Sequence, residues 1–166
     1  MSVTLAELAD LVGAKRRTLQ LWAEAGVIEA EPGTLRSGKG AYRRYARKEV
    51  IIACLVYAFA RRLQSPIGVL TDLGSMLRTQ LHAADAAAKI DEAIEDPENQ
   101  LFLIAHGDDS VPEAPVFSHM VTADRRKVEL RLIGYDATEQ LFHRGAFKLI
   151  IACAPNLERL RGLKTI

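Results

Sequence analysis

Cysteine is scarce in this chain, with only Cys54 and Cys153 among 166 residues, each inside an apolar run. Two thiols so far apart make neither a zinc ribbon nor a disulfide framework, and free buried thiols fit a reducing cytoplasm. Aromatic residues supply 6% of the chain, with a single Trp. Long apolar stretches are also missing. The longest, Val50 to Ala60, falls well short of the ~20 residues that cross a bilayer. The first residues lack the apolar core of a signal peptide, so a cytoplasmic protein without membrane contact is expected. No phosphate loop, Gly-rich nucleotide motif or Ser/His/Asp order is present, so neither catalysis nor a cofactor is expected. His106, Asp108, Asp109, His119 and His143 match no tight ligand spacing, which excludes a metal centre of ordinary pattern. Asp108 and Asp109 precede Ser110-Val-Pro112 and suit a turn.

What the chain does have is the composition of a soluble globular protein, 49% hydrophobic and 26% charged, in a length that suits one ordinary domain or two small ones. The net charge is only +1, but it is unevenly spread. Residues 1–78 hold 12 Lys/Arg against 7 Asp/Glu, whereas residues 79–166 hold 10 against 14. A basic front half points to a polyanionic partner that the acidic back half would not share.

Thr4-Leu-Ala-Glu7 is a capping-box pattern. It opens a helix with Leu5, Leu8 and Val12 on one face and Gly13 at its close. A second helix begins near Lys15, carries Leu19 and Trp22 inward, and ends at Gly26. Two such helices joined by a short turn predict a helix-turn-helix. Glycines 33, 38 and 40 predict a short hairpin, a wing, before a third helix over Arg47 to about Leu63. That helix is apolar on every side and must be covered on more than one face. Ser65-Pro66 predicts a restart, with Ser as N-cap and Pro at the first helical position. Leu70, Leu73, Leu77 and Leu81 carry that helix forward, and Ala83 to Ile94 either prolongs it or forms another. Beyond Pro97, Leu101–Ala105, Val116–Thr122, Val128–Ile133 and Phe147–Cys153 read as strands, and Asn156–Arg161 as a terminal helix.

The segment 15–48 supplies nine Lys/Arg against three Glu. Lys15, Arg16 and Arg17 sit at a helix N-terminus, where the dipole also favours phosphate. Thr18 and Gln20 are placed to meet a major groove, where Gln pairs with adenine and Thr meets a thymine methyl. In the wing, Arg36, Lys39, Arg43 and Arg44 are candidates to grip the DNA backbone or an adjacent minor groove, with Tyr42 and Tyr45 on either side of Arg43 and Arg44. Arg17-Thr-Leu19, Glu24-Ala-Gly-Val-Ile28, Tyr42-Arg-Arg-Tyr45 and Glu49-Val50 together resemble the MerR family of winged helix-turn-helix regulators, over residues 4 to about 78. The resemblance implies phosphate contacts from Arg43 and Tyr45, and a recognition helix carrying Thr18 and Gln20. The chain departs from the family pattern at Gln20, Leu21, Trp22 and Ala23, where the family has Arg, two Tyr and Glu.

The expected architecture is α+β. A MerR-like winged helix-turn-helix domain spans 1–80, a helical connector 81–97, and a small mixed α/β domain for dimerisation or an effector 98–166. The expected function is that of a sequence-specific transcriptional regulator binding double-stranded DNA as a homodimer. Leu70 to Ile94 and the apolar third helix are the candidate dimer surface. RNA polymerase and a small-molecule effector are the further partners such a regulator would have. Two alternatives stand beside it: an architectural or excisionase-like recombination factor, and a protein-interaction module.

Overall fold

The computed structural model describes residues 2–34, 43–82, 84–96, 101–108, 118–122, 126, 128–129, 146–153 and 157–161. Strand β1 (Ser2–Thr4) leads into helix α1 (Leu5–Val12), a tight turn, and helix α2 (Arg16–Ala25). Strand β2 (Arg44–Ala46) then runs into the long helix α3 (Arg47–Leu63), followed by α4 (Ile67–Gln80) and α5 (Ala84–Glu95). Strands β3 (Phe102–Asp108), β4 (Ser118–Thr122) and β5 (Ala146–Ala152) and a 3-10 turn at Glu158–Leu160 complete the described fold.

Local chemistry accounts for the front helices. The Thr4 hydroxyl accepts from the Glu7 amide at 3.4 Å, and the Glu7 carboxylate accepts from the Thr4 amide at 2.7 Å, completing the capping box. Gly13 closes α1 at φ 73°, a left-handed conformation that glycine adopts without strain, and Gly26 closes α2 in the same way. β1 and β2 pair antiparallel, with Val3 opposite Tyr45 and Thr4 opposite Arg44. The Glu31 amide donates to the Arg44 carbonyl at 2.8 Å, and the Arg44 amide donates to the Thr34 hydroxyl at 3.2 Å. These bonds close the stem of the expected hairpin. Its tip, with Arg36, Lys39 and Tyr42, lies outside the described residues.

Helix α3 is the axis of the core. Val50 through Val56, Ala58 and Phe59 are all buried, covered by α1, α4 and β2. One apolar cluster joins them to Leu70, Leu73 and Leu77 of α4, Ile90 and Ile94 of α5, and Leu103 and Ile151 of the sheet. Leu70, Leu73, Leu77, Ile90 and Ile94, all within the expected dimer surface, are therefore buried inside the chain itself. In the sheet, β3 lies between β4 and β5, antiparallel to both. Front and rear are also tied by polar contacts. The Arg159 guanidinium donates to the Asp10 carbonyl at 2.8 Å, that of Arg161 to the Ile94 carbonyl at 2.8 Å, and Arg47 pairs with Asp91.

Several expectations need correction. Pro66, not Ser65, caps α4, and no side chain caps it. With Pro66 at ψ 152° the chain is still extended there, and its carbonyl takes the first helical bond, from Leu70. The alanine-rich segment is a separate helix, because α4 stops at Gln80 and the chain turns at His82. Val128 and Glu129 are helical rather than extended. A buried residue followed by an exposed one satisfies either period, and β3 already has a partner on each side. Residues 130–133 lie outside the described residues. The terminal helix shortens to the 3-10 turn, and Asp108 pairs with Ala146 at the end of β3 instead of turning. Asp109 is outside the described residues.

Candidate nucleic-acid interface

Helix α2 buries only Leu19 and Trp22. Trp22 meets Tyr57 edge-on, with ring centroids 6.3 Å apart, and the Arg61 guanidinium lies over the other ring, 5.8 Å from the Tyr57 centroid. The face turned away from this anchor carries Arg17, Gln20, Leu21 and Glu24, at the i, i+3, i+4 and i+7 positions of one helical stripe. Arg17 and Glu24 are exposed and Gln20 half-buried, while Leu21 is 45% exposed. The Gln20 amide donates to the Glu24 carboxylate at 3.1 Å, a bond that orients it and uses one of its two N–H groups. Thr18, adjacent to Leu19 and four residues before Trp22, flanks the buried stripe and is itself half-buried.

Lys15, Arg16 and Arg17 are all exposed at the start of α2. That start is chemically bare. Lys15 at the N-cap makes no side-chain cap bond, and no acidic residue occupies the first turn. The Thr18 amide donates to the Lys15 carbonyl at 2.9 Å, and no side chain serves the N–H groups ahead of it.

Strand β2 sorts its residues by alternation. Arg44 points out and is exposed, whereas Tyr45 points in and is fully buried. The phosphate contact expected of Tyr45 is thereby overturned, because a side chain with no exposed surface meets no duplex. Burial pushes the Tyr45 phenol above its ordinary pKa, against the opposing pull of the Arg43 charge. Arg43 is half-buried, and one Arg44 nitrogen donates to the Ser2 carbonyl at 3.3 Å. The structure thus gathers Arg16, Arg17 and Gln20 on α2 with Lys15 at its N-cap, and places Arg43 and Arg44 at the stem of the expected hairpin.

Leu21 and Glu24 carry no contact role in the sequence reading. The available signal was an amphipathic mismatch: Leu21 is an apolar residue on the polar side of a helix whose inward positions are 19 and 22. Among the described residues no group of three His, Cys, Asp or Glu converges in a way that could hold a metal ion. His106 and His119 lie on β3 and β4, and His143 is outside the described residues. No helix among the described residues is long and apolar enough to cross a membrane.

No family model matches the chain, and no curated protein does. Among solved structures it is similar to a transcriptional regulator of the MerR family from Bacillus cereus, with 14% identity and a TM-score of 0.35. That similarity covers 56% of this chain and 80% of the other. A likeness so distant leaves the interface to be argued from its own residues.

Proposed function

We propose that this chain is a sequence-specific DNA-binding transcription regulator of MerR-like type, carrying a winged helix-turn-helix and acting as a homodimer. One observation carries it: α2 begins with three exposed cations, no cap and no acid. Each cation at the positive end of a helix dipole costs about 0.3–1 kcal/mol. A phosphate seated there would reverse that cost and accept from the N–H groups ahead of Thr18. Local conflicts of this kind are expected where function overrides stability.

The outward stripe supplies the second half of the chemistry. Gln20, with its amide held by Glu24, matches the edge of adenine, and Leu21 offers an apolar surface to a thymine methyl. The stem bonds between Glu31, Thr34 and Arg44 support a wing. The homodimer follows from the two-fold symmetry such modules use on their sites. Its surface would lie away from the apolar faces of α3 and α4, which the chain itself buries.

Selection from a random duplex library tests this. Enrichment of a short, two-fold symmetric site containing A·T pairs supports regulation. Broad recovery of weakly related duplexes would favour an architectural role, and no enrichment would remove DNA binding altogether.

A further inference from the structure

We infer that a stripe on α4, formed by Thr71, Gly74 and Arg78, is the device that sets how α2 is presented to DNA. The inference rests on the DNA-binding role proposed above. Its starting point is how little of α2 is held by apolar burial, only Leu19 and Trp22. A helix so lightly anchored needs another restraint if its outer face is to keep a defined tilt.

The restraint is at its C-terminal end. Helices leave their last carbonyls without internal partners. Here α4 serves the carbonyls that end α2 and the turn beyond it. The Thr71 hydroxyl reaches the Ala25 carbonyl at 3.3 Å, sharing its proton with the Ile67 carbonyl at 3.0 Å. One Arg78 nitrogen donates to the carbonyls of Val27 at 2.7 Å and Gly26 at 3.3 Å. Between them, Gly74 brings the α4 backbone so close that a Cβ there would stand 2.3 Å from the Val27 carbonyl oxygen. Positions 71, 74 and 78 follow three- and four-residue spacing, so all three share one helical face.

Arg78 is itself fixed. Its Nε donates to Glu49 at 2.9 Å and its Nη2 to the second Glu49 oxygen at 3.3 Å, a two-pronged pair between mostly buried groups. The remaining nitrogen meets the Glu29 carboxylate at 3.2 Å. Glu49 also accepts from the Glu29 amide at 2.9 Å. Because Glu49 lies in the first turn of α3, directly after β2, one guanidinium joins the end of α2, the base of the hairpin and α4. Lysine has the charge but not the planar fork, so it cannot serve all these acceptors together.

The test compares Arg78→Lys and Gly74→Ala with the parent chain. Each is titrated against the duplex that the parent selects and against random-sequence duplex, with thermal unfolding measured alongside. Weak phosphate attraction needs no exact helix tilt, so non-specific binding stays within about twofold. Preference for the selected duplex falls about tenfold, the worth of one well-made base contact. A lower unfolding temperature with preference unchanged would overturn the inference and leave a purely structural clamp. Should neither variant fold, Thr71→Val removes one neutral hydrogen bond at the same end and lowers preference roughly threefold. Unchanged preference in that variant overturns the inference too. If the parent selects no duplex at all, the proposed function fails first and the inference goes with it.

Discussion

Helices α1 and α2 are neighbours of similar length joined by a tight turn, yet they begin in opposite ways. α1 has a full capping box, an acid in its first turn, and Leu8, Ala9 and Val12 buried. α2 has no cap, no acid and three cations, and buries only two side chains. One is built as scaffold, with its N-terminus capped and matched in charge. The other is neither, and keeps its place through contacts at its far end. The difference teaches where to look for function in a small fold: at the element whose local chemistry opposes its own formation.

The comparison breaks most severely at that far end. Arg78→Met leaves the buried Glu49 carboxylate without its partner, and uncompensated buried charges of this kind cost about 3–5 kcal/mol. The denaturant midpoint falls accordingly, and Trp22 fluorescence, which reports on α2, shows the loss. The matching contact on α1, from Arg159 to the Asp10 carbonyl, involves no buried carboxylate, so its loss costs less.

Both helices share one core, and alkali probes it. Burial pushes the Cys54 and Cys153 thiols from 9.0 up to about 12. Their protonated forms are the ones the folded chain accepts. That contribution is complete below pH 9 and is lost as the pH climbs toward 12. Stability against denaturant therefore declines across that alkaline window, and replacing both thiols with Ala flattens the decline.

The two N-termini give a mirrored pair of smaller effects. Thr4→Ala removes the cap from α1 and costs about 1 kcal/mol. Lys15→Asp supplies α2 with the missing cap and acid, gains about 1 kcal/mol, and weakens DNA binding. Thermal unfolding and a duplex titration on the two variants read both signs.

These contrasts were partly legible in the sequence. The Thr4–Glu7 pattern, Gly13, Gly26 and the apolar run after Arg47 act within a few residues, so the bounds of α1, α2 and α3 follow from local chemistry. The cationic start of α2 is legible for the same reason. The Glu49–Arg78 clamp is not, since its partners are brought together only by the packing of α3 against α4. Nor is the burial of Tyr45, because a three-residue strand reveals which side faces inward only once Val3 stands opposite it. Val128 shows the limit of alternation: one buried and one exposed residue fit a helix as well as a strand.

Acid gives the smallest separation of the two helices. The backbone N–H and hydroxyl of Thr4 hold the Glu7 carboxyl below its ordinary value of 4.5. Its capping contribution is complete above that value and is lost as pH falls through the lowered one. Amide exchange at Thr4 quickens there, while the start of α2, which has no carboxylate to protonate, shows no matching change.

Salt dependence of duplex binding tests the central claim most directly. Neutralised phosphates appear as the slope of log affinity against log salt. Replacing Arg16 and Arg17 together with Ala is expected to weaken binding and reduce that slope by about 2. A slope left unchanged by those substitutions, or no duplex binding at low salt, would contradict a phosphate-facing α2.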